Sequence, residues 1–147
     1  MTADQRTDEP AEARWLGVDW GTKRIGLALS DPTGTVAQPL ATLTRRAGRR
    51  FPLQQLRAHL ERWRPVGVVV GLPLEADGTE GPAARDAREA AKLIADKAGL
   101  PVELMDERMT TARALQAGGS GRADRGDVDQ RAAAVLLQLY LDRRSAR

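Results

Sequence analysis

Three carboxylates and a short run of cations are the residues of this chain whose types and spacing could do chemistry. Asp19 closes an apolar run, Trp15 to Val18, and Lys23 and Arg24 follow closely. Glu107 stands in Asp106-Glu107-Arg108, after the apolar stretch Pro101 to Met105, with Thr110 just beyond. Asp129 opens the apolar stripe of the C-terminal segment. Brought together without cations, three acids repel one another and raise their pKa values. A divalent metal resolves that conflict, and oxygen-only ligands suit Mg²⁺ or Mn²⁺. Two such ions about 3.5–4 Å apart can clamp the attacking water and the leaving oxygen of a phosphodiester. Lys23, Arg24, Arg108 and Thr110 are then the candidates for holding substrate phosphate. Each acid also has a plainer reading. Asp19 can be a turn residue, Asp129 can serve the positive end of a helix, and strand parity alone does not fix where Glu107 points.

The elements that must position these groups follow from periodicity. The apolar runs 15–18 and 25–29, joined through Trp20-Gly21-Thr22, predict a β-hairpin. In strand alternation Leu16, Val18 and Trp20 share one face, and Trp15, Gly17 and Asp19 the other. Gly17 beside the acid lets another element approach closely. Residues 35–43 predict a third strand, with Pro39 marking an edge or a bulge. Residues 51–64 predict a helix with Leu53, Leu56, Leu60 and Trp63 on one face. Val66 to Leu72 reads as a strand buried on both faces, ending in the loop Pro73 to Pro82. Residues 83–98 predict a helix with Ala83, Ala87, Ala91, Ile94 and Ala98 inward and Gly99 as its C-cap. Residues 101–105 predict another strand, 110–117 a short helix, and 118–127 a Gly-, Arg- and Asp-rich loop. A last helix is expected from Val128 to Arg144, with Ala132, Val135, Leu136, Leu139 and Tyr140 inward. Asp129 falls in its first turn, Asp127 just outside as N-cap, and Ala132 and Ala133 let the helix approach the Gly17–Asp19 face.

Three strands followed by strands alternating with helices imply an α/β fold: one mixed sheet, an antiparallel meander and then parallel strands, flanked by helices. In such sheets sites form beyond the carboxyl ends of the parallel strands, where Asp19, the loop 73–82 and Glu107 all lie if the first strand and the last two are parallel.

Composition removes other chemistries. The 147 residues contain no cysteine and one histidine, His59. Disulfides, thiol catalysis, His-ligated metal and a Ser-His-Asp triad are thereby excluded or hard to build. His59 lies off its helix stripe and is expected partly exposed. The net charge of +3 permits a polyanionic partner without requiring one. Arg45, Arg46, Arg49 and Arg50 read as a solvated basic loop or as phosphate contacts. Residues 1–13 are polar and aperiodic, a disordered tail before a single domain at 14–144. With no apolar run of membrane length, the expectation is a soluble, cytoplasmic protein without a membrane partner.

Together, the segments GVDWGTKRIGLALSD at 17–31, VVVGLPLEADGTEG at 68–81, DERMTT at 106–111 and VDQRAAAVLLQLYL at 128–141 resemble the YqgF family, pre-16S rRNA nucleases also described as Holliday junction resolvases. The resemblance covers residues 14–142. It implies an RNase H-like fold with a five-stranded mixed sheet, and divalent-metal phosphodiester hydrolysis in maturing the 5′ end of small-subunit rRNA. It also implies that Asp19, Glu107 and Asp129 are the catalytic and metal-binding carboxylates. Relatives are usually Lys-rich before the last helix, whereas this chain has GRADRGD at 121–127, which leaves Asp127 as a substitute ligand. The implied partners are structured RNA, branched DNA or a ribosomal assembly intermediate, acted on by a monomer or weak homodimer.

Two other classes remain open on the residues. GVDWGTKRIG also looks like the phosphate-binding hairpin of actin-like ATPases and sugar kinases, which use two such domains where this chain has one. A non-catalytic RNA-binding assembly factor could keep the fold without the activity. The presence of all three acids and the lack of aromatic stacking platforms argue against it.

Overall fold

The computed structural model describes residues 13–21, 23–45, 51–106 and 125–146. Its elements are β1 (Trp15–Asp19), β2 (Arg24–Ser30), β3 (Ala37–Thr44), α1 (Leu53–Trp63), β4 (Gly67–Leu72), α2 (Pro82–Ala98), β5 (Val102–Asp106) and α3 (Arg125–Ser145). The strands form one five-stranded sheet in the order β3-β2-β1-β4-β5. β1, β2 and β3 pair antiparallel, and β4 and β5 join β1 in parallel, as the strand and helix pattern predicts. Pro39 sits in the edge strand β3, where the register to β2 slips between Leu27 and Ala28. An edge bulge is a position where the missing N–H of proline does no harm.

The interior strand β4, between β1 and β5, is buried along its whole length, because helices cover both faces of the sheet. On one side Leu16, Val18, Trp20, Ile25, Leu27, Val68 and Val70 pack against α1 and α2. On the other, Trp15, Ala28, Val69 and Met105 pack against Ala133, Leu136, Leu137 and Leu141 of α3. The alternation Leu16/Val18/Trp20 against Trp15/Gly17/Asp19 thus decides which residues meet which helix. α2 ends at Gly99, left-handed with φ 70°, whose N–H bonds the Ala95 carbonyl. Its buried stripe is Ala84, Ala87, Ala90, Ala91 and Ile94, so Ala84 takes the inward place expected for Ala83, while Ala98 packs against the core as expected. In α1 only Leu56 is fully buried, with Leu60 and Trp63 packed against the edge of the core, and His59 is partly exposed as expected. The expected short helix at 110–117 lies outside the described residues. No helix among the described residues is long and apolar enough to cross a membrane.

The last helix differs from expectation in two ways. It begins at Arg125, three residues earlier than the apolar stripe suggested. Asp127 is therefore a helical residue rather than an N-cap outside the helix. The fully buried positions are Ala133, Leu136, Leu137 and Leu141, while Ala132, Val135 and Leu139 are only half-buried. The helix is rotated by about one residue from the expected setting, because its contact is set by the glycines of the sheet and not by the widest apolar stripe.

Candidate carboxylate site

Asp19 ends β1 and faces the α3 side of the sheet with Trp15 and Gly17. Its cross-strand neighbour on β2 is Gly26, and Gly17 faces Ala28. These small residues form a trough into which α3 sinks. A Cβ at Gly17 would lie 2.9 Å from Leu137 Cβ and 3.2 Å from the Ala133 carbonyl oxygen. A Cβ at Gly26 would lie 2.0 Å from the carbonyl oxygen of Asp129. The backbone of Asp129 therefore rests directly on the strand position paired with Asp19. Residues 110 positions apart in sequence come to one corner, at the carboxyl end of β1, through a close approach that only glycine permits.

Arg24 is the third member. It starts β2 on the same face as Gly26, and its Nε donates a 2.8 Å hydrogen bond to Asp129 Oδ2. The side chains of Arg24 and Asp129 are 30% and 26% exposed, so the pair contributes about 0.2–1 kcal/mol, as semi-exposed ion pairs do. Because α3 begins at Arg125, Asp129 lies in the second turn, beyond the reach of most of the helix-end dipole. Among the described residues Arg24, rather than the helix terminus, supplies the positive charge that faces this carboxylate. Among the described residues Asp129 Oδ1 makes no hydrogen bond.

Lys23 is exposed in the β1–β2 turn, where its carbonyl accepts the Arg45 N–H at 2.9 Å. Glu107, Arg108 and Thr110 lie outside the described residues. The expectation that Arg45 belongs to a solvated basic loop is overturned. Arg45 is buried, its Nη1 donates to the Gly21 carbonyl at 3.0 Å, and its guanidinium lies 4.3 Å from the centre of the Trp20 ring, which in turn stacks on Phe51. It braces the turn behind Asp19 instead of meeting solvent. A hollow of about 430 Å³ lined by Trp20, Arg45, Phe51, Asp86 and Glu89 opens on this α1/α2 face, across the sheet from Asp129. It is not part of the carboxylate site.

Two features of the corner were not singled out from the sequence. One is Gly26, for which a glycine opposite the end of β1 was the available signal. The other is the pairing of Arg24 with Asp129, for which no local signal exists. Among the described residues no group of three or more His, Cys, Asp or Glu gathers. Asp19 and Asp129 offer oxygen donors only, and the third sequence candidate, Glu107, lies outside those residues. That donor chemistry fits a hard divalent cation and no softer one.

The chain matches the family described as RuvX, Holliday junction resolvase, over residues 13–143. It is 47% identical over 137 residues to a protein of Anaeromyxobacter sp. (strain Fw109-5), covering 90% of this chain and 99% of that one. It is 41% identical over 142 residues to a protein of Mycobacteroides abscessus, covering 93% and 86%. Both are named "Putative pre-16S rRNA nuclease". Among solved structures it is similar to Thermus thermophilus RuvC in complex with Holliday junction substrate, at 20% identity and a TM-score of 0.55, covering 90% of this chain and 96% of that one. It is also similar to Ydc2, the yeast mitochondrial Holliday junction resolvase, at 10% identity and a TM-score of 0.52, covering 88% and 78%. At these identities the likeness shows the fold, which is RNase H-like.

Proposed function

Since the chain belongs to the RuvX family, we propose that it is a nuclease that hydrolyses phosphodiester bonds with divalent metal held at the Asp19–Asp129 corner, and that its substrate is the precursor of small-subunit rRNA. The observation that carries this reading is the seating of the Asp129 backbone on Gly26, the strand partner of Asp19. It joins two oxygen-donor side chains at the carboxyl end of a strand that is parallel to β4, where α/β sheets place their sites. Glu107 completes the ligand set in this reading. Met105, which shares its strand parity, packs toward α3.

Asp19, Asp129 and Glu107 would hold Mg²⁺ or Mn²⁺, which would supply polarisation of the scissile phosphate and a lowered pKa for the attacking water. The chain's own residues do the remaining work. Asp19 and Asp129 orient and neutralise the cation. Lys23, exposed at the turn, and Arg108 attract and fix the substrate backbone, with Thr110 as a further hydrogen-bonding group. Such contacts position the nucleic acid without reading its sequence. The names carried by relatives above 40% identity support pre-16S rRNA as substrate.

Cleavage of branched DNA is the second reading, favoured by the family's description as Holliday junction resolvase. The two separate in one experiment. Labelled pre-16S rRNA leader and a four-way DNA junction are each incubated with Mn²⁺, with Mg²⁺ and with chelator, using wild type and Asp19→Asn. Metal-dependent cutting of the RNA alone, lost in the variant while its circular dichroism stays native, is the expected result. Paired symmetric cuts in the junction would move the function to recombination and require a dimer. Binding without cutting would replace the enzyme reading with that of an assembly factor.

A further inference from the structure

Arg24 was expected to hold phosphate, yet its Nε is spent on Asp129. The bond reaches from the first residue of β2 to α3, across 105 positions of sequence, and it uses a single N–H. Asp129 Oδ1 is left without a hydrogen bond among the described residues. Since Gly26 pins the backbone of Asp129 against β2, that carboxylate has little freedom to leave the guanidinium except by rotating its own side chain. The geometry points to Arg24 as a positioning residue that holds Asp129 through its Nε and competes with divalent metal for the same carboxylate. This rests on the metal reading of the site and adds to it which of the chain's own cations shares the metal's carboxylate.

The physical basis is Coulombic. The half-buried Asp129 carboxylate carries negative charge, and the Arg24 guanidinium 2.8 Å away offsets it. When a dication shares Asp129, the same guanidinium repels it from a few ångströms away. In surroundings close to those of water, two charges against one at this range, roughly halved by screening at physiological salt, correspond to about a five- to tenfold loss of metal affinity. A fixed cation thereby raises the metal concentration the site needs, and it keeps Asp129 from collapsing elsewhere when metal is absent.

The test is Mn²⁺ titration by calorimetry, with the Mn²⁺-induced rise in Tm as a second readout, on wild type, Arg24→Ala, Arg24→Gln, Asp129→Asn and the double variant Arg24→Ala/Asp129→Asn. Arg24→Ala and Arg24→Gln should bind Mn²⁺ about five- to tenfold more tightly than wild type and show a larger Mn²⁺-induced rise in Tm. In the Asp129→Asn background the Arg24 change should alter Mn²⁺ affinity much less, because the shared carboxylate is gone. Arg24→Gln keeps most of the side chain and guards against a folding failure of the alanine variant. Equal or weaker Mn²⁺ binding in the Arg24 variants, with normal binding in wild type, overturns the proposal and leaves the metal site intact. Absence of Mn²⁺ binding in wild type overturns the metal reading itself, and this proposal with it.

Discussion

Gly26→Ala is the substitution that most directly tests how the corner is built. The added methyl would stand 2.0 Å from the Asp129 carbonyl oxygen and 2.5 Å from its carbonyl carbon. Ordinary contact starts at 3.4 Å, so strand and helix must separate by about 1.4 Å (3.4 Å less 2.0 Å). The obstructing atoms are backbone in the middle of a packed helix turn and cannot rotate away as a side-chain end could. Overpacking of this kind costs about 1–3 kcal/mol, and a helix–sheet backbone collision belongs at the upper end. For a domain of this size that corresponds to a fall in Tm of roughly 5–12 °C. The effect on catalysis should exceed the effect on folding, because a misplacement of about 1 Å can lower a rate about 100-fold. Gly99→Ala is the matched control. Its φ of 70° disfavours alanine, but nothing lies within 4 Å of the new methyl, so it should cost about 1 kcal/mol and leave cleavage unchanged. Thermal unfolding and metal-dependent cleavage rates on the three proteins decide the matter. Gly26→Ala with wild-type Tm and wild-type cleavage would refute the claim that this contact sets the position of Asp129.

Other outcomes follow from the same structure. Leu137 is fully buried and lies beside Gly17, so Leu137→Ala should lose about 2–5 kcal/mol of stability, read as a lower midpoint in urea unfolding. Asp31 is held well below the usual carboxylate range, first by the Thr33 hydroxyl and then by the N–H groups of Val36 and Thr35, each at 2.8 Å. A depressed folded-state pKa gives stability that is fully present above about pH 4, the ordinary aspartate value, and lost as pH falls through the depressed one. Plots of Tm against pH for wild type and Asp31→Ala should therefore differ at neutral pH and converge in acid; parallel curves would show that the ionised carboxylate contributes nothing.

The covering of the sheet was legible in the sequence because burial has a period. Alternation along 15–20 assigned Trp15, Gly17 and Asp19 to one face and Leu16, Val18 and Trp20 to the other, and the structure packs them against different helices. The continuous apolar run at 66–72 signalled a strand covered on both sides, and Gly99 and Pro39 marked a helix end and an edge bulge through the backbone rules special to those residues. Such signals are local: each depends on a residue and its near neighbours. Asp19 was legible as a candidate for the same reason, being a charge at the end of a core strand.

What the tertiary structure decided is everything that depends on which surfaces touch. The setting of α3 followed the trough at Gly17 and Gly26, not its own apolar stripe, so Leu137 and Leu141 went inward where Val135 and Leu139 were expected. The start of that helix at Arg125 moved Asp129 out of the first turn and made Arg24 its counter-charge. Arg45 left the basic loop for a buried place on Trp20. Periodicity records which residues avoid water, but not which backbone can come near enough to use a missing Cβ, nor which cation meets which acid. Those outcomes depend on distances between segments far apart in the chain, and only the packed molecule sets them.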